Sequence, residues 1–218
     1  MSRGLTLAVD GSTYAGSVAL IRGEAVVAEG QLESSGIPGR AGRDESFLPM
    51  VEKAMADAGV KPSDIHRVIC GAGPGSFTSL RIAASIAKGI AVGVGCPLYA
   101  ASSLVLMVAG RKDGSYLATL PAMRGEVHAA LVEVEGNRAK QVGPAMIMPE
   151  ASVEEALRRA GAEHVSASPH ARGFAMMLGD ILESGECNID SWQPEYGRAA
   201  EAQVKWEAAH GRPLSAAG

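Results

Sequence analysis

Hydrophobic and polar positions change period several times along the first hundred residues. Leu5-Thr6-Leu7-Ala8-Val9 alternates large and small side chains, as a strand with one well-packed face does. The run stops at Asp10-Gly11-Ser12-Thr13, and residues 16–21 resume it as a second strand. Arg22-Gly23-Glu24 turns the chain and Ala25-Val26-Val27-Ala28-Glu29 forms a third, so an antiparallel meander is expected. Residues 33–42 are rich in Gly, Ser, Pro and Arg and read as a loop. From 44 or 46 to 58 the period becomes helical, with Phe47, Leu48, Val51, Met55 and Ala58 on one stripe. Pro49 favours a start near Ser46, because proline is tolerated only in the first turn. Gly59 ends that helix, residues 67–70 form a short buried strand, and 71–75 turn.

The next helix is the most informative stretch. Ser76 is a natural N-cap, and the pattern runs to Ala91 or Gly93. Ile82, Ile86, Ile90 and Val94 form one row and Ala83, Ala87 and Ala91 the next, with Phe77, Leu80 and Ala84 widening the apolar surface. Ser79, Arg81, Ser85 and Lys88 are its polar breaks. A helix apolar on nearly every side is buried on two of them. One side faces its own sheet. The other faces a second internal layer, another helix such as 46–58, or another protein. The alanine row suits close helix–helix approach, and two such helices together offer half of a four-helix bundle.

In the second half, Leu98-Tyr99 closes a strand and Ser102 or Ser103 caps a short apolar helix to Ala109. Residues 116–120 and 127–134 read as strands joined by Arg124-Gly125-Glu126, with a further strand near 140–148. Ser152-Val153-Glu154-Glu155 is a capping box that opens a helix ending at Gly161. Pro169–Glu183 fits another helix, with Phe174, Met177, Leu178, Ile181 and Leu182 inward. A last helix covers 198–209, with Trp206 as a packing anchor.

Composition narrows the functional classes. Only 4% of the 218 residues are aromatic, so the core is built from Ala, Val, Leu, Ile and Met. Net charge is −4 with no run of Lys or Arg, which argues against autonomous nucleic-acid binding. Cys70, Cys96 and Cys187 are far apart and form no C-x-x-C, and the histidines at 66, 128, 164, 170 and 210 have no metal-ligand spacing. No signal-like segment opens the chain, and no stretch of ~18 apolar residues lacks glycine, so a cytoplasmic protein is expected.

Candidate chemistry is thin. The turn 71–75 fails as a P-loop, because Gly75 is followed by Ser76-Phe77 and not by Lys. It fails as a dinucleotide fingerprint, because position 76 is Ser and no acidic residue follows at 93–97. Asp10, Ser12 and Thr13 are either ordinary turn residues or a phosphate-facing hairpin. Asp44-Glu45 is either an acid pair or a helix-start charge. No Gly-x-Ser-x-Gly elbow is present.

Gly71-Ala-Gly-Pro-Gly-Ser-Phe-Thr-Ser-Leu-Arg81 resembles the signature of the TsaB (YeaZ) family, with Ser79 where that family has Gly. Asp10-x-Ser12-Thr13 with Ser17-Val18-Ala19-Leu20, the Leu48-Pro49 helix start, Ala87-Lys88-Gly89-Ile90-Ala91 and Pro97-Leu98…Ser102-Ser103-Leu104 are similar as well. In the tail, so are Pro194-x-Tyr196-x-Arg198 and Ala200-Glu201-Ala202…Trp206. The resemblance is good over about residues 4–134 and weak over 135–190. It implies an α/β, actin-like ATPase (sugar kinase/Hsp70) fold: two lobes of mixed sheet flanked by helices. The N-terminal lobe would span 1–101 and carry the partner-binding helices; the smaller C-terminal lobe would span 102–218, with helix 198–209 able to pack back on the first.

The function implied is a non-catalytic dimerisation subunit of the system that makes threonylcarbamoyladenosine in tRNA. Its partner would be the catalytic paralogue TsaD, with the ATPase TsaE in the assembly, TsaC supplying the threonylcarbamoyl-adenylate, tRNA met mainly through the complex, and a homodimer as the alternative. The implied interface comprises Phe47, Leu48, Val51, Met55, Phe77, Leu80, Arg81, Ala84, Ala87 and Lys88. No catalytic residue, metal or cofactor of its own is expected; ATP or ADP could sit at the complex interface, and Asp10, Ser12 and Thr13 are the candidates for contacting it. The family's catalytic paralogue has a His-x-x-x-His pair that this chain lacks. Two departures stand out: Arg43-Asp-Glu-Ser46 replaces His-Ser-Glu, and Pro121-Ala-Met123 replaces Asp-Ala-Arg, although Arg124-Gly-Glu-Val127 matches. The competing expectation is an autonomous ATPase or kinase of the same fold; a metalloprotease is weaker still, for want of ligands.

Overall fold

The computed structural model describes residues 4–32, 46–136, 138–197 and 209–210. The loop 33–42, the Asp44-Glu45 pair, Arg198 and the Trp206 anchor lie outside the described residues, as does nearly all of the expected helix 198–209.

The first three strands form as the alternation predicts: β1 (Leu5–Asp10), β2 (Ser17–Arg22) and β3 (Ala25–Gln31). They are followed by α1 (Phe47–Asp57), β4 (Ile65–Gly71), α2 (Phe77–Val94) and β5 (Leu98–Ala101). The strands make one sheet ordered β3-β2-β1-β4-β5. Leu7 pairs with Leu20 across the antiparallel β1–β2 ladder and with Val68 across the parallel β1–β4 ladder. Three strands, helix, strand, helix is the order expected of an actin-like unit.

Alternation divides the sheet between two cores. Leu5, Leu7, Val9, Val18, Leu20, Val68, Cys70 and Leu98 pack beneath α1 and α2. Ala8, Ala19, Ile21 and Ile69 point the other way, into a core supplied by the second half of the chain. Gly95 stops α2 in the left-handed conformation, and its N–H bonds back to the Ala91 carbonyl. By length and composition α2 is apolar enough to cross a membrane, yet six of its residues are buried against the sheet, the packing of a core helix.

After α3 (Ser103–Leu106) come β6 (Gly114–Pro121), β7 (Glu126–Glu135), β8 (Arg138–Pro149), α4 (Val153–Ala160) and β9 (Glu163–Val165). Their sheet is ordered β8-β7-β6-β9. Residues 171–197 then return to the first sheet. Phe174 and Ala171 are fully buried in the core shared with Ala8, Ala19 and Ile69. The Ala171 N–H donates to Ser17 Oγ at 2.9 Å.

Two local expectations are corrected. The helix expected over 169–183 is a 3-10 segment (Ala171–Ala175) followed by α5 (Leu178–Glu183). Gly173 sits so close to Leu106 and Ala109 that an added Cβ would lie 3.1 Å from each, and that packing outweighs helical continuity. Ser152 is itself helical in φ and ψ and makes no side-chain cap, so no capping box forms there. A 3-10 turn (Glu150–Ser152) runs straight into α4 instead.

The β6–β7 hairpin carries a strained residue. Arg124 has φ 66°, the only non-glycine at positive φ among the described residues. Arg124→Gly is expected to stabilise the fold by about 0.5–1 kcal/mol in a urea titration, because the left-handed penalty outweighs the entropy glycine adds to the unfolded chain.

Candidate functional site

The end of β1 is the point where the glycine-rich turn, α2 and α3 meet. Asp10 is almost fully buried. Its Oδ1 accepts from the Ser12 hydroxyl at 2.6 Å and the Ser12 N–H at 3.1 Å. Its Oδ2 accepts from the Ser103 hydroxyl at 2.5 Å, and Ser103 Oγ in turn accepts from the Gly73 N–H at 3.1 Å. Burial pushes the Asp10 carboxyl above its ordinary range, and the Ser103 and Ser12 hydrogen bonds pull against that shift.

Backbone finishes the closure. The Ser76 N–H donates to the Ser12 carbonyl at 2.8 Å, and the Ser103 N–H to the Gly73 carbonyl at 2.9 Å. Glycine is required by contact at these places: a Cβ on Gly71 would strike Asp10 Oδ2, and one on Gly75 would strike the Ser12 carbonyl. The hairpin considered as a phosphate contact is therefore filled by the chain's own 71–76 turn. Asp10 and Ser12 serve that internal network. Thr13 is half-buried, and its Oγ1 has no hydrogen-bond partner among the described residues.

The residues expected to meet a partner separate into two layers. Phe47, Val51, Met55, Ala84 and Ala87 are each 8% exposed or less and belong to the core under α1 and α2, and Leu80 is fully buried against Gly73 of the glycine turn. In the isolated chain they shape the two-helix face from beneath. The alanine row packs into the core that the sheet shares with α1; Ile82, Ile86, Ile90 and Val94 are half-buried against the same core. Leu48 (45% exposed) and Arg81 reach solvent, while Phe77 and Lys88 are half-buried.

Residues that sequence periodicity did not single out complete the outward face. Ser85, Gly89 and Gly93 recur at i, i+4 and i+8 and are exposed, with Val92 beside them at 65%. Beyond the helix's own backbone and the adjoining residues, no described atom lies within 4 Å of a Cβ built on Gly89 or Gly93. A stripe of small residues at this spacing lets another helix approach closely.

One flank of α2 is covered by the chain itself. The segment 184–197 is pinned at one end by the Cys187 N–H on the Leu98 carbonyl (2.7 Å) and at the other by the Glu195 N–H on the Ala72 carbonyl (2.7 Å). Between them the Lys88 ammonium lies 5.8 Å from the Trp192 ring centre. Tyr196 packs on Phe77 at 4.5 Å, and the Arg81 guanidinium lies 5.3 Å from the Phe77 ring centre. Among the described residues, the expected second layer takes the form of a strap along this flank. At its end, Gly197 abuts His128 and Pro74. Burial lowers the tendency of His128 to protonate. Among the described residues no group of three or more His, Cys, Asp or Glu could hold a metal ion.

A family model described as "TsaD: tRNA N6-adenosine threonylcarbamoyltransferase" matches residues 37–176. The "tRNA threonylcarbamoyladenosine biosynthesis protein TsaB" of Bacillus subtilis (strain 168) is 25% identical over 226 aligned positions, covering 92% of this chain and 96% of that protein. The chain belongs to the TsaB/YeaZ family. The TsaB of Escherichia coli (strain K12) is 37% identical over 135 residues, which span 60% of this chain and 56% of that relative. The solved structure "YeaZ from Pseudomonas aeruginosa" superposes with a TM-score of 0.74 at 25% identity, covering 88% of this chain and 99% of that one. The fold is accordingly the actin-like one of that family, two mixed sheets flanked by helices.

Proposed function

We propose that this chain acts in tRNA threonylcarbamoyladenosine biosynthesis as a non-catalytic subunit, docking through the outward face of α1 and α2 onto the catalytic paralogue TsaD and holding it in its active arrangement. The observation that carries the reading is the contrast between two parts of one fold. The turn where a phosphate would be met is filled by the protein's own backbone and hydroxyls. The outer face of α2 is exposed at Ser85, Gly89 and Gly93, where no described side chain covers it. The missing His-x-x-x-His pair adds support, since two imidazoles four residues apart on a helix would be needed to hold a metal as that paralogue does.

On this reading the protein works in the cytoplasm and reaches tRNA through the assembly, which includes TsaE and depends on TsaC for its activated intermediate. Any ATP or ADP would be held at the interface between subunits. The rival reading is an autonomous ATPase, which requires Asp10 to reach a nucleotide. Both of its oxygens are engaged internally, so that reading needs the turn to open. The test is co-purification with TsaD. The wild-type chain should co-elute with it and hydrolyse no nucleotide by itself. Nucleotide hydrolysis lost on Asp10→Ala, without TsaD binding, would overturn the proposal.

A further inference from the structure

The hairpin between β6 and β7 ends in an arginine that the fold would hold more cheaply as glycine. The backbone is left-handed at both Arg124 (φ 66°) and Gly125 (φ 71°), and glycine fills only the second place. A side chain kept in that conformation costs stability, and such strain collects at binding and catalytic sites. Arg124 is exposed and makes no ion pair among the described residues. Met123 beside it is 66% exposed, the most of any large hydrophobic side chain among the described residues. The backbone beneath them is anchored. The Ala122 N–H donates to the Glu126 carbonyl at 2.8 Å, and the Glu150 N–H donates to the Gly125 carbonyl at 3.0 Å. An apolar and a cationic side chain thus stand out on ordered backbone, which leaves less order to be imposed on binding.

The hairpin lies at the end of the molecule where α2 begins. His128, two residues beyond Glu126, abuts Gly197, and Gly197 abuts Pro74 of the turn that leads into α2. Arg124 is the sole Lys or Arg between Lys112 and Arg138, and Glu126 and Glu150 adjoin its loop. An RNA backbone brought to this point would meet those carboxylates and would offer nothing to Met123. A protein surface with a carboxylate beside an apolar depression matches both exposed side chains. We propose that Met123 and Arg124 form a contact finger in the second lobe, Met123 entering an apolar depression of a protein partner and Arg124 pairing with a carboxylate beside it. The inference rests on the proposed docking of TsaD, whose surface would reach the finger past the start of α2.

The experiment titrates full-length TsaD with the full-length wild type, Arg124→Gly, Arg124→Lys and Met123→Ser, and unfolds each chain alone in urea. Arg124→Gly should raise the urea midpoint and yet weaken TsaD binding by about tenfold, because relief of strain and loss of the contact act on different readouts. Arg124→Lys keeps the charge and should lose less affinity. Met123→Ser should weaken binding by about fivefold at an unchanged midpoint. A residue with a merely structural role would give equal or tighter binding once the strain is relieved. Wild-type affinity in both Arg124→Gly and Met123→Ser would overturn the finger and leave the proposed function standing. No binding by the wild type would overturn both. A second titration adds tRNA to the complex of the chain with TsaD. Loss of tRNA binding in Arg124→Gly, with TsaD binding intact, would also overturn the finger, since it would put a phosphate where the proposal puts a carboxylate.

Discussion

Asp10→Ala is expected to lower folding stability by about 2–4 kcal/mol, whereas Asp10→Asn should cost about 1 kcal/mol. The carboxylate is the shared acceptor of three donors: the Ser12 hydroxyl, the Ser12 N–H and the Ser103 hydroxyl. Alanine leaves all three without that acceptor in a buried site and opens a small cavity. Asparagine keeps the shape and the Oδ1 acceptor, and Ser103 Oγ can accept from the new amide. The contact to Ser103 spans 93 residues and ties the end of β1 to the start of α3, so the loss should appear as a global shift in the urea midpoint. Since burial already disfavours the charged carboxyl, the loss is less than three intact charged hydrogen bonds would suggest. Equal stability of Asp10→Ala and the wild type would mean that this network does not hold the turn.

The second large effect separates the two layers of α2. Ala87→Arg is expected to destabilise the fold by about 4 kcal/mol or more, enough to prevent recovery of folded protein. Ser85→Arg should stay within about 0.5 kcal/mol of the wild type. Only two positions separate them, but they lie on opposite sides of the helix. Ala87 is fully buried under the sheet-facing side, where a guanidinium would have neither space nor water. Ser85 faces solvent. Ala84, 5% exposed, should behave like Ala87. Normal folding of Ala87→Arg in a thermal melt would show that the alanine row is not the packed side.

The same helix marks what can and cannot be read from the chain alone. Its end lies at Val94, past the expected Ala91 or Gly93, because Gly95 supplies the left-handed stop. The three-strand meander, the start of α2 and the glycine turn follow from local pattern, alternation and clustered Gly and Pro. Which side of α2 meets the sheet does not, because small apolar residues surround it. Only burial separates Ala83, Ala87 and Ala91 from Ser85, Gly89 and Gly93. The role of Ser103 depends on a partner 93 residues away. The strap 184–197 has no periodicity, and its order comes from long-range backbone bonds and two ring contacts, so nothing local announces it. The break in the 169–183 helix has the same origin, since Gly173 yields to packing against Leu106 and Ala109.

The central claim, that the outward face of α2 binds the catalytic paralogue, is tested most directly by titrating TsaD with the wild type, Gly89→Ala and Gly89→Trp in a calorimeter. Gly89 is an exposed helix-interior glycine with open space above it, so neither change should harm the fold, and alanine should raise stability by about 0.8 kcal/mol. A partner helix seated on the Ser85-Gly89-Gly93 stripe would tolerate a methyl group poorly and an indole not at all. Measurable affinity is expected for the wild type, weaker binding for Gly89→Ala and a loss of at least about a hundredfold for Gly89→Trp. Undiminished binding by a folded Gly89→Trp protein would contradict it.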